Sequence, residues 1–338
     1  MKSKKFILQW HLTERCNLHC THCYQNEEII KEELTLQEKY SVVDKFLSFI
    51  KSLNTLYPTQ GVINLTGGEP FADRDLEKLL AYIYQYKKYL VFNFLSNGTL
   101  INDNSIKLLK KYPPRFIQVS IDGDKDTHNK IRGEGAFQRA VEGIKKLKKN
   151  NIKVLISFTA HKQNYKSFSE VVKIANTLGV DRVWTDRMIP EGVGVGLKDE
   201  LLDKQETLEY VKIVKKEQIK NRLNPFITTQ VAPSRPLQFV PFVERPMRCG
   251  AGRNLFALLP NGVLLPCRRL PIEIGDIRDS TFEEIYNHNQ LIKELQKSNN
   301  IKGCEGCLFR KTCDGGLRCL AYAYYGTPFR RDPCCWRR

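Results

Sequence analysis

The amino-acid sequence predicts an α/β protein built on a partial barrel of six strand–helix units, followed by a small cysteine-rich domain. Short β-branched and aromatic runs alternate six times with segments of helical hydrophobic period. Polar or glycine-containing sequences follow the first four of these runs. Eight of the eleven cysteines lie after residue 248.

The strand–helix units account for roughly the first two thirds of the chain. In the first helix, Thr35 and Glu38 form a capping-box pattern, and Val43, Phe46 and Ile50 repeat with a helical period. Six units joined by right-handed crossovers are too few for a closed eight-stranded barrel, so we predict a partial (β/α)6 TIM-like barrel. The predicted strands are 5–13, 62–67, 91–98, 116–122, 153–160 and 182–188, and the later helices are about 72–88, 102–112, 134–150 and 165–178.

A proline-rich stretch marks the predicted domain boundary. A further helix is expected at about 200–221, and the sequence from Asn224 to Pro246 contains five prolines. We therefore divide the chain into a barrel at 1–223, a connector at 224–246 and a C-terminal domain at 247–338. There, we predict a hairpin turning at Asn261-Gly262 and a helix capped by Ser280 and Glu283.

Composition limits the compartment and the partners. The sequence has no apolar run near the roughly 18 residues of a membrane span and no signal peptide, so we expect a cytoplasmic protein without a membrane partner. In that compartment, cysteines are more often metal ligands or redox groups than disulfides. The net charge of +17 suits acidic partners or a solvated basic surface. We expect no nucleic-acid partner, because no recognition motif is present.

Three cysteines follow the first predicted strand with the spacing C-x3-C-x2-C, at Cys16, Cys20 and Cys23. Three thiolates can hold three irons of a cubane iron–sulfur cluster and leave the fourth iron open. The alternatives are a zinc site completed by His19 or His22 and, less compatible with the compartment, a disulfide knot.

With Tyr24 after the third cysteine, "GGEP" at 67–70 and "SIDG" at 120–123, residues 5–190 resemble the radical S-adenosylmethionine (SAM) superfamily. The resemblance implies a [4Fe–4S] cluster held by the three cysteines. SAM would bind its open iron and be cleaved to a 5′-deoxyadenosyl radical that takes hydrogen from a substrate. It also implies a low-potential electron donor, ferredoxin or flavodoxin.

The resemblance places the SAM contacts where the strands end. Glu69 is expected to accept from the methionine ammonium, Ser120 and Asp122 to lie near the carboxylate or ribose, and Arg132 to pair with the carboxylate. Met188 is expected beside the adenine. No catalytic acid or base is assigned, and His128 and His161 are expected at the surface. The full set of predicted cofactor contacts is Tyr24, Gly67, Gly68, Glu69, Ser96, Asn97, Ser120, Asp122, Arg132 and Met188.

The remaining cysteines resemble a SPASM domain, the auxiliary-cluster extension of radical SAM enzymes that modify peptides and proteins. Cys249, Gly262 and Cys267 match its first half, whereas Leu317 stands where a cysteine is expected and the thiol is displaced to Cys319. The resemblance implies one or two auxiliary [4Fe–4S] clusters, and a zinc ribbon is the alternative. One cluster would be bound by Cys304, Cys307, Cys313 and Cys335, with Cys334 as the spare, and the other by Cys249, Cys267 and Cys319.

The function implied is radical modification of a substrate, with a ribosomally made peptide as the leading hypothesis and crosslinking, oxidation or epimerisation as the reaction. Cys16 lies so near the start that we expect a separate recognition protein to deliver the peptide, or recognition without a leader. The enzyme alternatives are haem or tetrapyrrole side-chain chemistry and sulfatase maturation. The non-enzyme alternative is an iron–sulfur or zinc protein that binds nucleic acid.

Overall fold

A single mixed sheet organises the chain. The computed structural model describes residues 4–25, 32–232, 248–297 and 301–336. Their strands are β1 (Lys4–His11), β2 (Thr59–Thr66), β3 (Leu90–Ser96), β4 (Ile117–Ser120), β5 (Val154–Ala160), β6 (Arg182–Arg187), β7 (Gln230–Ala232), β8 (Leu255–Leu258), β9 (Val263–Leu265) and β10 (Gly275–Asp276). Their helices are α1 (Leu36–Leu56), α2 (Leu76–Gln85), α3 (Asp103–Lys111), α4 (Lys125–Arg132), α5 (Ala136–Lys149), α6 (Phe168–Thr177), α7 (Lys204–Leu223), α8 (Phe282–His288), α9 (Gln290–Gln296), α10 (Arg310–Cys313) and α11 (Arg318–Tyr325).

The predicted open barrel is confirmed. The strand order is β10-β9-β8-β1-β2-β3-β4-β5-β6-β7, so the six strands β1 to β6 lie side by side in chain order. In this sheet order, every pair of neighbours from β8 to β7 is parallel. The sheet begins at β10 and ends at β7 rather than closing on itself. Parallel strands joined by helices bring the loops after β1 to β6 to one edge, which we call the barrel mouth.

The C-terminal region continues the same sheet. β8 pairs with β1 in parallel, and β9 and β10 follow as antiparallel strands, with the predicted hairpin turn at Asn261-Gly262. At the other edge, β7 pairs with β6, so part of the predicted connector forms a strand. Residues 233–246 of that connector lie outside the described residues, and the three domain limits remain predictions.

An aromatic cluster holds the C-terminal region against the barrel. Phe6 on β1 packs between Phe49 on α1 and Phe256 on β8, with ring centroids at 4.9 and 5.3 Å. Phe282 on α8 contacts Phe46 at 5.3 Å. These rings are almost fully buried, and each such side chain contributes about 1.5–3 kcal/mol when it leaves water. The two parts therefore share one hydrophobic core.

Helix caps explain where several helices begin. α1 starts with the predicted capping box of Thr35 and Glu38. The second predicted box was misplaced by one residue, because Thr281 and Glu284 rather than Ser280 and Glu283 cap α8. α4 was not predicted, since its polar sequence buries few side chains, and its start is fixed by the Asp124 carboxylate accepting from the Thr127 amide. No helix in the described ranges is long and apolar enough to cross a membrane.

Candidate functional site: two groups of cysteines

The loop after β1 carries Cys16, Cys20 and Cys23 at the barrel mouth. The Cys23 amide donates to the Cys20 carbonyl at 3.1 Å, and the Cys23 carbonyl accepts from the Gly194 amide at 2.9 Å. Burial, together with the neighbouring thiols, raises the pKa of Cys16 to about 11 and also raises that of Cys20. The three sulfurs therefore lie near one another, and a metal that binds them must displace their protons.

Two donors approach these sulfurs. Asn97 Nδ2 lies 3.8 Å from Cys16 Sγ, and Arg132 Nη1 lies 3.7 Å from Cys20 Sγ. Such donors favour the thiolate form that binds iron. No three His, Cys, Asp or Glu side chains of the described chain converge on a point that would hold a single metal ion. Thiolates around a cubane each bind a different iron, so they do not need to converge. The arrangement fits the predicted cluster.

The "TGGEP" loop after β2 packs directly on the cysteine loop. The Gly68 amide donates to the Thr13 carbonyl and the Glu69 amide to the Arg15 carbonyl, both at 2.8 Å. A Cβ atom on Gly68 would lie 2.2 Å from the Arg15 carbonyl oxygen, and Gly67 has a φ of +140°. The two glycines therefore allow backbone to approach backbone, and any approach to a ligand remains a prediction.

Glu69 lies at the centre of the mouth, fully buried. Its carboxylate accepts from Ser96 Oγ and from the backbone amide of Asn97, both at 2.8 Å. Ser96 therefore reaches the site through Glu69, whereas the Asn97 side chain also approaches Cys16 directly. Burial raises the Glu69 pKa to about 7, against the opposing effect of these donors. One carboxylate thus joins the loops after β2 and β3. Both loops lie at the same edge of the sheet, where the sequence predicted that their polar residues would meet.

A buried ion pair joins the loop after β4 to the cysteines. Arg132 Nε donates to Asp122 Oδ2 at 2.5 Å, and His22 Nε2 lies 3.4 Å from the same oxygen. Burial alone would raise the Asp122 pKa, but Arg132 and His22 hold it well below its usual range. Asp122 therefore fixes the guanidinium beside Cys20. Ser120 is half-buried at the end of β4 and Met188 is buried after β6, and their predicted contacts with SAM are untested.

Buried histidines form a part of the site that the sequence did not indicate. His128 and His161 were expected at the surface, but they are 1% and 5% exposed. Burial lowers their pKa values to about 3 and about 4, and the Arg132 guanidinium lowers that of His128 further. His11, at the end of β1, is fully buried, and neither ring nitrogen has a hydrogen-bond partner among the described residues. Burial and then Arg268 lower its pKa well below the usual value.

The C-terminal cysteines fall into two subsets. Cys304 lies close enough to Cys335 and Cys307 that both raise its pKa, after burial, to about 11, and Cys335 and Cys304 act in the same way on Cys313. Cys319, at the start of α11, has Cys267 and Cys249 as its thiol neighbours. These are the two sets implied by the resemblance, and the displacement from Leu317 to Cys319 still brings a thiol to the second set.

Cys334 is directed away from both subsets. Its Sγ donates to the Leu202 carbonyl at 3.0 Å, and its pKa is raised by burial while Arg187 opposes that rise. Cys335 instead packs with Cys313 in a small apolar cluster flanked by Phe309 and Trp336. The geometry therefore favours Cys335 over Cys334 as a cluster ligand, in agreement with the resemblance to the SPASM pattern.

The C-terminal region also reaches the barrel mouth through arginines. Cys267 begins a turn in which the Leu270 amide donates to its carbonyl at 2.9 Å. From that turn, Arg269 pairs with Asp186 on β6, and Arg268 lies over the Tyr24 ring at 5.1 Å. Arg187 on β6 forms a two-pronged pair with Asp332. Arginine pairs of this kind have no sequence signature, so spacing could not identify them.

Comparison with known proteins agrees with these two regions. The profile of the radical SAM superfamily matches residues 10–175, and that of SPASM, an iron–sulfur cluster-binding domain, matches residues 249–308. The Fe-coproporphyrin III synthase of Methanosarcina barkeri is 27% identical over 99% of this chain and 88% of its own length. The PqqA peptide cyclase of Granulibacter bethesdensis is 24% identical over 96% of this chain and 85% of its own length.

Solved structures share the fold. The enzyme anSMEcpe with bound AdoMet superposes with a TM-score of 0.78 at 19% identity, covering 98% of this chain and 94% of that one. SuiB of Streptococcus suis bound to its precursor peptide SuiA gives 0.73 at 16% identity, covering 99% of this chain and 76% of that one. This chain is therefore a radical SAM enzyme with a C-terminal SPASM domain, and its cofactors are SAM and iron–sulfur clusters.

Proposed function

We propose that this enzyme modifies a peptide by radical chemistry that starts with hydrogen abstraction. The observation that carries the proposal is the C-terminal region itself, which contains two cysteine subsets. Its strands β8 to β10 extend the barrel sheet, and its Arg269 pairs with Asp186 at the barrel mouth. Bound at the barrel mouth, a [4Fe–4S] cluster and SAM would supply the 5′-deoxyadenosyl radical. The peptide cyclase relative and the fold shared with SuiB support a peptide as substrate.

The residues of the mouth have distinct proposed roles. Cys16, Cys20 and Cys23 bind the cluster, and Glu69 accepts from the ammonium of SAM. Arg132, held by Asp122, pairs with the SAM carboxylate, while Met188 and Tyr24 border the remainder of the cofactor. The C-terminal region covers the mouth and limits the entry of water, which would quench a radical. The auxiliary clusters offer a route for the electron that an oxidative reaction releases.

Tetrapyrrole side-chain chemistry is the second candidate. It is favoured by the relatives named for Fe-coproporphyrin III and haem synthesis, which match 97–99% of this chain at 27–28% identity. Both candidates share the SAM site and differ in what enters the mouth.

The experiment is anaerobic turnover of the reconstituted enzyme with SAM and dithionite. One reaction receives synthetic peptides encoded by neighbouring reading frames, and the other receives Fe-coproporphyrin III. A mass change in a peptide together with 5′-deoxyadenosine supports peptide modification. Conversion of Fe-coproporphyrin III with unchanged peptides would replace it by the second candidate, and SAM cleavage with neither substrate changed counts against both.

A further inference from the structure

Arg268 differs from the other buried arginines of the protein in its partners. Arg187 and Arg318 are each about 2% exposed, and each pairs with a buried aspartate. Arg268 is 8% exposed and has no ion pair within the part of the chain that the structure describes. Its Nε lacks a hydrogen-bond partner there, as does the Nε of Arg318, so the missing carboxylate is what distinguishes Arg268. A buried guanidinium left without a carboxylate is costly, so its position needs a reason other than stability.

The surroundings of Arg268 are those of a ligand site. The guanidinium carbon lies 5.1 Å from the centre of the Tyr24 ring, which directs the charge towards the barrel mouth next to the predicted cluster loop. The Tyr24 ring is 6.0 Å from that of His11, whose two nitrogens are also buried without partners. The Nε of Arg268 and both ring nitrogens of His11, all buried without partners among the described residues, thus border one aromatic ring beside the cysteine loop.

The nearby acids do not neutralise Arg268. Glu14 and Glu191 lie near enough for its charge to lower their pKa values, opposing the larger effect of burial. Neither forms an ion pair with it among the described contacts, and the Glu14 carboxylate accepts instead from Gln25 Nε2. A planar guanidinium with five donors can bind both oxygens of a carboxylate at once.

We propose that Arg268 binds a carboxylate of the substrate at the barrel mouth, with His11 supplying a second hydrogen bond. The site is contributed by the SPASM domain, one residue after the predicted ligand Cys267, so substrate would be held between the SAM cluster and an auxiliary cluster. The identity of the molecule that carries the carboxylate rests on the proposed function. It is an acidic side chain or C-terminus of a peptide, or a propionate of a tetrapyrrole.

The test measures binding of matched charged and neutral probes to the anaerobically reconstituted enzyme with SAM present. The tetrapyrrole probes are Fe-coproporphyrin III and its tetramethyl ester, followed by absorbance. The peptide probes are two pools of acetylated decapeptides, followed by mass spectrometry of the retained fraction. One pool carries Asp and Glu with a free C-terminus, and the other carries Asn and Gln with a C-terminal amide.

The variants are Arg268→Gln and Arg268→Lys, with Arg330→Gln as the matched control. Arg330 also lies over a tyrosine ring, 4.2 Å from the centre of Tyr325, but on the exposed surface of the protein. Iron content and melting temperature of each variant show whether the fold is retained. SAM affinity is measured in parallel, since a carboxylate of SAM is the competing occupant.

The charged probe of one source should bind wild type and Arg330→Gln about 10- to 100-fold more tightly than its neutral counterpart. Arg268→Gln should abolish this preference, Arg268→Lys should retain part of it, and SAM affinity should stay within about twofold. Three results would overturn the inference. The wild-type enzyme could show no preference for the charged probe with either the peptide or the tetrapyrrole pair, the preference could survive in Arg268→Gln, or Arg268→Gln could lose affinity for SAM alone. If only the tetrapyrrole arm depends on Arg268, the peptide proposal fails while the inference stands.

Discussion

The two cysteine regions differ in how open they are. Cys16, Cys20 and Cys23 are all partly exposed, on a loop at the barrel mouth. Among the C-terminal cysteines, six of eight are buried, and only Cys249 and Cys307 are partly exposed. A cluster that must admit SAM needs an accessible iron, whereas a cluster that passes electrons is better shielded from solvent. Exposure therefore separates the cysteines of the barrel mouth from the more buried cysteines of the C-terminal region.

The regions also differ in how their thiols are brought together. The first three cysteines lie within eight residues, and one loop places them. The C-terminal thiols come from distant positions, such as Cys249 and Cys319, and become neighbours only in the folded chain. The first site therefore depends on local structure, and the second depends on tertiary packing.

The largest expected effect contrasts cysteines of the two regions. Cys20→Ala should reduce 5′-deoxyadenosine formation to background, because two thiols cannot retain a site-differentiated cluster. Cys319→Ala should leave substrate-independent formation of 5′-deoxyadenosine measurable while reducing product formation. Anaerobic assays with dithionite as reductant, followed by chromatography of 5′-deoxyadenosine, measure both. Persistence of 5′-deoxyadenosine in Cys20→Ala would refute the assignment of the first site.

The dependence on local or on tertiary structure also explains which parts of the site the sequence could predict. Cys16, Cys20 and Cys23 and the GGEP loop could be placed because strand ends share one edge of a parallel sheet. His11, Arg268 and the Arg187–Asp332 pair could not, because each depends on contacts between residues far apart in the chain. His128 and His161 were assigned to the surface, since a histidine in a polar segment shows no sign that tertiary packing will bury it.

The next largest effect concerns the adjacent pair at the end of the chain. Cys335→Ser should lower the iron content by about four atoms per chain, because Cys335 is the neighbour of Cys304 and Cys313. Cys334→Ser should leave iron unchanged, since its thiol donates to the Leu202 carbonyl. Iron analysis and Mössbauer spectra of anaerobically purified protein give the answer. Equal loss in both variants would contradict the choice of Cys335 alone as the ligand.

A smaller effect is expected where the two regions are joined by charge. Arg187→Ala leaves the fully buried Asp332 without its cation, and loss of one partner of a buried pair costs about 3–5 kcal/mol. The apparent melting temperature should fall by several degrees. The matched control is Lys111→Ala, whose pair with Glu77 is about 60% exposed on both sides, so its loss should lower the melting temperature much less. Equal shifts in the two variants would contradict a structural role for the Arg187 pair.

The smallest effect tests the outer contact between the regions, from Arg278 beside β10 to Glu38 on α1. Arg278 Nε donates to the Glu38 carboxylate at 2.7 Å, and Arg278, followed by Thr35, lowers the Glu38 pKa to about 2. Because this pKa is depressed, the stabilisation is present above the ordinary value of 4.5 and is lost as pH falls towards 2. Arg278→Gln should therefore lower stability by less than about 1 kcal/mol at pH 7, and by the same amount at pH 6. Thermal unfolding in 0.5 M salt should show a smaller difference from wild type than in low salt, since exposed pairs are screened. A difference that grows with salt would show that Arg278 acts through packing instead, and the two regions would then be joined there by contact rather than by charge.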